Sequence, residues 1–248
     1  MKKITNKYIL KARRKRILKR IFIVIILFII VGVFIINKTD IFLIDKVVCT
    51  GDNLLTKEYI LDKAENLKGE NIFYINKESI IKDIKRNPYV KELTIKRVYP
   101  NKVELNVKEA KGLYYININE SYGIISSSLI LLEEVDSIEG RGLIELRGVN
   151  VENLKLGDKI IENSNIETVV EKFYDMEQVI KENGEDFSIT ALDISNITHL
   201  KAYIGNIEIL LGTDENIFKK MSDAVQIYKN FEVTEKIDVS FNGTPDYK

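Results

Sequence analysis

The chain has 248 residues and equal numbers, 37 each, of basic (Lys, Arg) and acidic (Asp, Glu) side chains, so its formal net charge is zero. It contains one cysteine, Cys49, which excludes an intramolecular disulfide. Ten of the cations lie in residues 1–20, which contain no acid, so the remainder of the chain carries an excess of ten acidic side chains. This asymmetry predicts that the two parts of the chain face different environments.

Residues 21–36, IFIVIILFIIVGVFII, contain no polar side chain. As a helix they would be about 24 Å long, slightly less than the ~30 Å of a bilayer core. Lys19 and Arg20 can extend their charged ends towards the headgroups. The pattern predicts a single transmembrane helix over residues 21–36.

The flanking charges predict the orientation of this helix. Because basic segments stay inside, residues 1–20 are expected to form a cytoplasmic tail, with everything after Lys38 outside. A basic segment beside a membrane span favours anionic lipid over nucleic acid as its partner. A cleaved signal peptide is less favoured, because no small-residue cleavage pattern follows the apolar run.

Residues 41–109 are predicted to form a first module with the order strand, helix, helix, strand, strand. Val103, Leu105 and Val107 alternate with polar residues, which is typical of a half-buried strand. The predicted elements are Ile41–Thr50, a helix from Thr56 to Leu67, a helix after Asn76, and the strands Val90–Tyr99 and Lys102–Glu109.

Residues 110–242 are predicted to form a second, mixed and β-rich domain with two helices, followed by a tail at 243–248. Gly205-Asn206 marks a two-residue hairpin turn. The helices are expected at Ile166–Glu182, ending at Asn183-Gly184 with Val179 and Ile180 on the inner face, and at Asn216–Asn230. The last strand is expected at Lys236–Phe241. The predicted class is therefore α+β.

Six motifs in the first module carry a family resemblance. They are similar, in order and spacing, to the POTRA domain of the FtsQ/DivIB bacterial cell-division proteins, and Leu211-Gly212 and Ile237–Lys248 resemble the family's closing segment. The motifs are Val47–Gly51, Thr56–Ile60, Leu67–Ile75, Asn87–Lys91, Ile95–Asn101 and Val103–Glu109.

The resemblance implies a non-enzymatic scaffold of the division septum, held in the cell membrane by one span. It implies bitopic partners of the DivIC/FtsB type and the FtsL type, bound by strand addition to the last strand and the helix before it. An exposed last strand offers unpaired backbone groups for such binding. Val239 and Phe241 could instead be ordinary core or edge residues. The implied contact residues are Asp238, Val239, Ser240, Phe241 and Tyr228.

No residue pattern indicates catalysis, a cofactor or a metal. His199 is the single histidine and has no nucleophile motif beside it. The acidic pairs Glu133-Glu134 and Glu185-Asp186 are more typical of solvated surface than of a glycosidase. Two alternatives stay open at this point: a membrane-anchored cell-envelope hydrolase and a POTRA-containing transport component.

Overall fold

The structure is a computed structural model that describes residues 7–151, 153–182, 188–241, 243 and 245–248. It has two compact units, one made of Met1–Asp83 with Leu93–Val107 and the other of Ile84–Glu92 with Lys108–Lys248. Helices and strands occur in both units, so the predicted α+β class is confirmed.

The first helix, α1, spans Lys7–Lys38 and contains the predicted apolar span. Its segment Arg13–Lys38 is long and apolar enough to cross a membrane, and an 18-residue window within it has a mean hydropathy of 2.9. Large apolar side chains such as Phe28, which is 71% exposed, point away from the described part of the chain. The helix begins earlier than residue 21 because Leu, Lys and Arg are good helix formers.

The first module has the predicted order of elements. The elements are β1 Lys46–Gly51, α2 Lys57–Lys63, α3 Lys77–Ile84, β2 Val90–Val98 and β3 Lys102–Glu109. Strand β1 is parallel to β3, and the sheet has the order β1-β3-β2. Val103, Leu105 and Val107 are buried, as their alternation predicted.

Two boundaries in this module differ from the prediction. Asp40–Phe42 form a 3-10 turn, so β1 begins at Lys46 and not at Ile41. Helix α2 ends at Lys63, and a separate 3-10 turn follows at Glu65–Leu67. The apolar spacing that predicted one longer helix is preserved because Ala64 and Leu67 remain buried after the helix ends.

The second unit is built on a mixed sheet. Its described strands are β4 Gly112–Ile118, β5 Ser121–Ser126, β6 Leu131–Val135, β7 Ile144–Arg147, β8 Ala191–Asp193, β9 Leu200–Ile204, β10 Ile207–Gly212, β11 Lys236–Asp238 and β12 Asp246–Tyr247. They have the order β12-β11-β10-β9-β8-β7-β4-β5-β6 in the sheet. Two described helices, α4 (Ser164–Glu182) and α5 (Ile217–Asn230), contribute to the core of the unit.

The core of this unit largely follows the predicted helix faces. Phe173 on α4 and Met221 on α5 are fully buried, and the turn between β9 and β10 lies at Gly205-Asn206 as predicted. Val179 was predicted to face inward, and this is wrong, because it is 52% exposed in the last turns of α4. The side chain of Ile180 and the predicted helix end at Asn183-Gly184 lie outside the described residues.

Candidate partner-binding edge

Strand β11 lies one place in from the end of the sheet. It pairs in parallel with β10, where Glu208 is opposite Lys236 and Ile209 is opposite Ile237. Its other side pairs antiparallel with β12, where Ile237 is opposite Tyr247. The expectation that Lys236–Phe241 forms the exposed last strand is therefore wrong: the strand ends at Asp238, and β12, which lies within the expected tail, covers its outer side.

Backbone hydrogen bonds fix which groups of β12 face outward. Lys248 N–H donates to the Lys236 carbonyl at 3.0 Å, and Lys236 N–H donates to the Lys248 carbonyl at 3.2 Å. Antiparallel pairs alternate between hydrogen-bonded and non-hydrogen-bonded, so the next pair, Ile237 with Tyr247, is of the second kind. The N–H and C=O of Tyr247 are thus directed away from β11, at the outer edge of the sheet.

Asp238 ends β11 by a local turn. Its Oδ1 accepts from the backbone N–H of Ser240 at 3.0 Å and from the Ser240 hydroxyl at 2.6 Å. This side-chain bond competes with continued strand pairing. Gly212 lies against the turn with φ of +68°, and a Cβ there would be 3.0 Å from the Ser240 carbonyl oxygen. The turn is therefore restricted by the hydrogen bonds of Asp238 and by the close approach of Gly212 to Ser240.

The five residues implied by the family resemblance occupy different positions in this region. Phe241 is 49% exposed, and Asp238 and Ser240 are half-buried in the turn. The Val239 side chain is 3% exposed, and its N–H donates to the Leu210 carbonyl, so it packs in the core. Tyr228 is half-buried on α5 and packs against the core. A direct contact of these residues with a partner stays a prediction.

Two aromatic residues at the edge were not singled out from the sequence. The rings of Phe231 and Tyr247 have centroids 4.9 Å apart, and the residues are 50% and 42% exposed. Phe231 also lines an open groove along α5, together with Asn230 and Pro245. Phe231 could have been noticed as an apolar residue immediately after the helix, but nothing in the sequence places Tyr247 opposite Ile237.

Charged groups lie on the strands beside the edge. Glu208 Oε1 accepts from Lys201 Nζ at 2.8 Å and from the Tyr203 hydroxyl at 3.1 Å. The hydrogen bond from Lys201 lowers the pKa of Glu208, and burial raises the pKa of Tyr203. Lys248 Nζ lies 2.8 Å from Glu235, and that hydrogen bond raises the pKa of Lys248.

Glu133 and Glu134, two of the acidic residues considered for catalysis, do not lie at this edge. Glu133, on β6, forms an ion pair with Arg141, and Glu134 accepts from the Ser121 hydroxyl. Glu185-Asp186 lie outside the described residues. Among the described residues, no group of three or more His, Cys, Asp or Glu side chains is arranged to hold a metal ion.

Comparison with known proteins gives consistent matches along the chain. Residues 42–110 match the family model of the POTRA domain, FtsQ-type. The chain is 34% identical over 246 residues to a cell division protein DivIB of Clostridium botulinum (strain Loch Maree / Type A3), covering 97% of this chain and 95% of the relative. It is 34% identical to DivIB of Clostridium acetobutylicum, over 79% of each chain, and 26% identical to DivIB of Bacillus subtilis, over 51% and 49%.

Proposed function

Because this chain belongs to the FtsQ/DivIB family of cell-division proteins, we propose that it is a non-enzymatic scaffold of the division septum. Its apolar helix α1 tethers it to the cell membrane, with the basic residues 1–20 in the cytoplasm and the residues after Lys38 outside. The candidate partners are bitopic division proteins of the DivIC/FtsB and FtsL types. The observation that carries the proposal is the short, aromatic outer edge of the sheet at β12.

The binding mechanism is addition of a partner strand to β12. The outward N–H and C=O of Tyr247 provide backbone hydrogen bonds, and a partner strand placed there would extend the sheet. Phe231, Tyr247 and Phe241 are each about half exposed and are suited to anchor partner side chains. The two-residue length of β12 means that a partner strand would also cover a sheet edge that is otherwise weakly formed.

The backbone part of this mechanism is tested by Tyr247→Pro compared with Tyr247→Ala. Both substitutions remove the ring, but only proline removes the outward N–H, and proline is tolerated on an edge strand when its nitrogen faces outward. We expect proline to weaken capture of a DivIC-like ectodomain at least about 2- to 10-fold beyond alanine, as the loss of one net hydrogen bond of about 0.5–1.5 kcal/mol implies. Equal affinities of the two variants would exclude strand addition at Tyr247.

The side-chain part is tested by Phe241→Lys. The matched control is Leu156→Lys, which replaces another exposed apolar residue, 60% exposed, in the same unit. We expect the first substitution to weaken partner capture and the second to leave it unchanged.

Depletion of the protein should produce long undivided cells, and turnover of peptidoglycan by the purified protein would contradict the non-enzymatic assignment.

A further inference from the structure

The loop after α2 is tied to the outer end of α1, within one compact unit. Asn71 Nδ2 donates to the carbonyl of Ile36 at 2.6 Å, and the Tyr74 hydroxyl donates to Oδ1 of Asn37 at 3.0 Å. The last carbonyls of a helix have no partner within it, so Asn71 satisfies one of them. The contacts place this loop at the level of the last turn of α1.

Aromatic and apolar side chains surround these contacts. The ring of Phe73 lies 5.1 Å from the ring of Phe42 and 5.1 Å from that of Tyr99, measured between centroids. Tyr74 is 65% exposed, Tyr99 is 54% exposed and Ile41 is 56% exposed. A cluster of exposed aromatic and apolar side chains is typical of a surface that contacts a protein or a membrane.

All of these residues lie at one end of the three-stranded sheet. Tyr99 belongs to the turn between β2 and β3, and the Lys46 N–H at the start of β1 donates to the Asn101 carbonyl in that turn. Gly51, at the other end of β1, is about 17 Å away, since a strand rises about 3.3 Å per residue. The aromatic groups are therefore on the end of the sheet that adjoins α1.

We propose that Ile41, Phe42, Phe73, Tyr74 and Tyr99 form a juxtamembrane aromatic face that lies in the headgroup region on the outer side of the cell membrane. Tyrosine is enriched at this depth because its ring is apolar and its hydroxyl is polar. The apolar span of about 24 Å is short for a core of ~30 Å, so apolar residues just beyond the helix lie close to the acyl chains. The first module then rests on lipid and does not swing freely on its tether; this inference depends on the proposed membrane insertion of α1.

The chain contains no tryptophan, so a single introduced tryptophan reports on its own surroundings. We would introduce Tyr74→Trp and Tyr99→Trp separately into the full chain, reconstituted in phosphatidylcholine vesicles containing brominated acyl chains, which quench tryptophan in contact with them. Phe28→Trp, within the span, reports on insertion of α1. Leu54→Trp, at a residue that is 91% exposed beyond the far end of β1, is the matched control in the same unit.

We expect loss of fluorescence for Phe28→Trp, Tyr74→Trp and Tyr99→Trp, and retention for Leu54→Trp. The two tyrosine positions are independent tests, because Tyr99→Trp leaves the hydrogen bond between Tyr74 and Asn37 intact. Quenching at Phe28 with none at either tyrosine position would overturn the aromatic face and leave the membrane tether standing. No quenching at Phe28 would overturn both the tether and the face.

Discussion

The two outer edges of the nine-stranded sheet that the structure describes, β6 and β12, differ in how far other parts of the chain cover their backbone groups. At β6, Leu131 N–H donates to the Asp158 carbonyl at 3.0 Å, and Gly157 N–H donates to the Leu131 carbonyl at 2.8 Å. Residues 157–160 thus form a strap over the start of that strand. Within the strap, the backbone of Lys159 forms an isolated antiparallel β-bridge with Ile130, the residue before β6. At the opposite edge, β12 is two residues long and carries the exposed ring of Tyr247.

The side chains follow the same contrast. The β6 edge carries Glu133 and Glu134, and charged side chains on an edge strand discourage pairing with another chain. The β12 edge carries Tyr247 with Phe231 beside it. The β6 edge is strapped and charged, whereas the β12 edge is short and carries exposed aromatic rings beside the charged Asp246 and Lys248. This difference supports β12 as the edge that receives a partner.

The largest expected effect tests whether the two edges are anchored equally well in the core. Leu131 on β6 is 2% exposed, and Ile237 on β11 is 0% exposed. We expect Leu131→Ala and Ile237→Ala each to lower the free energy of unfolding by about 2–5 kcal/mol, because each leaves a cavity in the core. Urea titration of the full chain in detergent, followed by circular dichroism, measures both values.

Leu156→Ala is the control for this pair, since Leu156 is exposed and its truncation should change the free energy of unfolding by no more than about 0.5 kcal/mol. If Ile237→Ala cost as little as Leu156→Ala, β11 would be loosely held. The sheet edge at β12 would then differ from the edge at β6 in its core packing as well as in its surface.

A smaller effect is expected from loosening the strap over β6. Gly157 has φ of +88°, and a Cβ added there would meet open space, so Gly157→Ala introduces backbone strain without a clash. We expect a loss of about 1–2 kcal/mol in the free energy of unfolding. Hydrogen exchange at the Leu131 amide should also become faster, because that amide donates to Asp158 within the strap.

Gly205→Ala provides the matched comparison. Gly205 has φ of +59° and equally open surroundings, but it lies in the turn between β9 and β10. Gly205→Ala should lower the free energy of unfolding by a similar amount and leave hydrogen exchange at the Leu131 amide unchanged. Faster exchange at Leu131 in both variants would mean that the amide opens only with the whole unit, so that the strap gives β6 no local protection.

The sequence predicted regular elements better than it predicted the edge. The strand at Lys102–Glu109 was found because Val103, Leu105 and Val107 alternate with polar residues, and such alternation reflects burial of one face. The hairpin turn at Gly205-Asn206 was found because a local turn has its own residue preferences. Both signals are contained within a few neighbouring residues.

The edge could not be predicted in the same way. Strand β11 ends at Asp238 because the Asp238 side chain binds Ser240, whereas the apolar pattern of Val239 and Phe241 favoured a longer strand. Strand β12 is too short for any alternation, and its pairing of Tyr247 with Ile237 is a tertiary contact. A family resemblance could indicate the region of the site, but only the register shows which backbone groups face outward.

The smallest expected effect concerns charge beside the open edge. Glu208 lies opposite Lys236 of β11, and its hydrogen bond from Lys201 lowers the pKa of its carboxyl group. A lowered pKa stabilises the fold above the ordinary value of 4.5, and this contribution is lost as the pH falls through 4.5 and then through the pKa of the folded state. Because these side chains are partly exposed, we expect Glu208→Gln to cost less than about 1 kcal/mol at neutral pH.

Urea titrations of the original chain and of Glu208→Gln across the acid range measure this contribution. The difference between their free energies of unfolding should shrink as the pH falls below 4.5 and should also shrink with added salt, which screens exposed charges. Glu162→Gln, at an exposed carboxylate before α4, is the control for the substitution itself and should change the free energy of unfolding at neutral pH by no more than about 0.5 kcal/mol. A difference for Glu208→Gln that stayed constant from neutral to acid pH would mean that packing, and not the charge of Glu208, supports the strands beside β12.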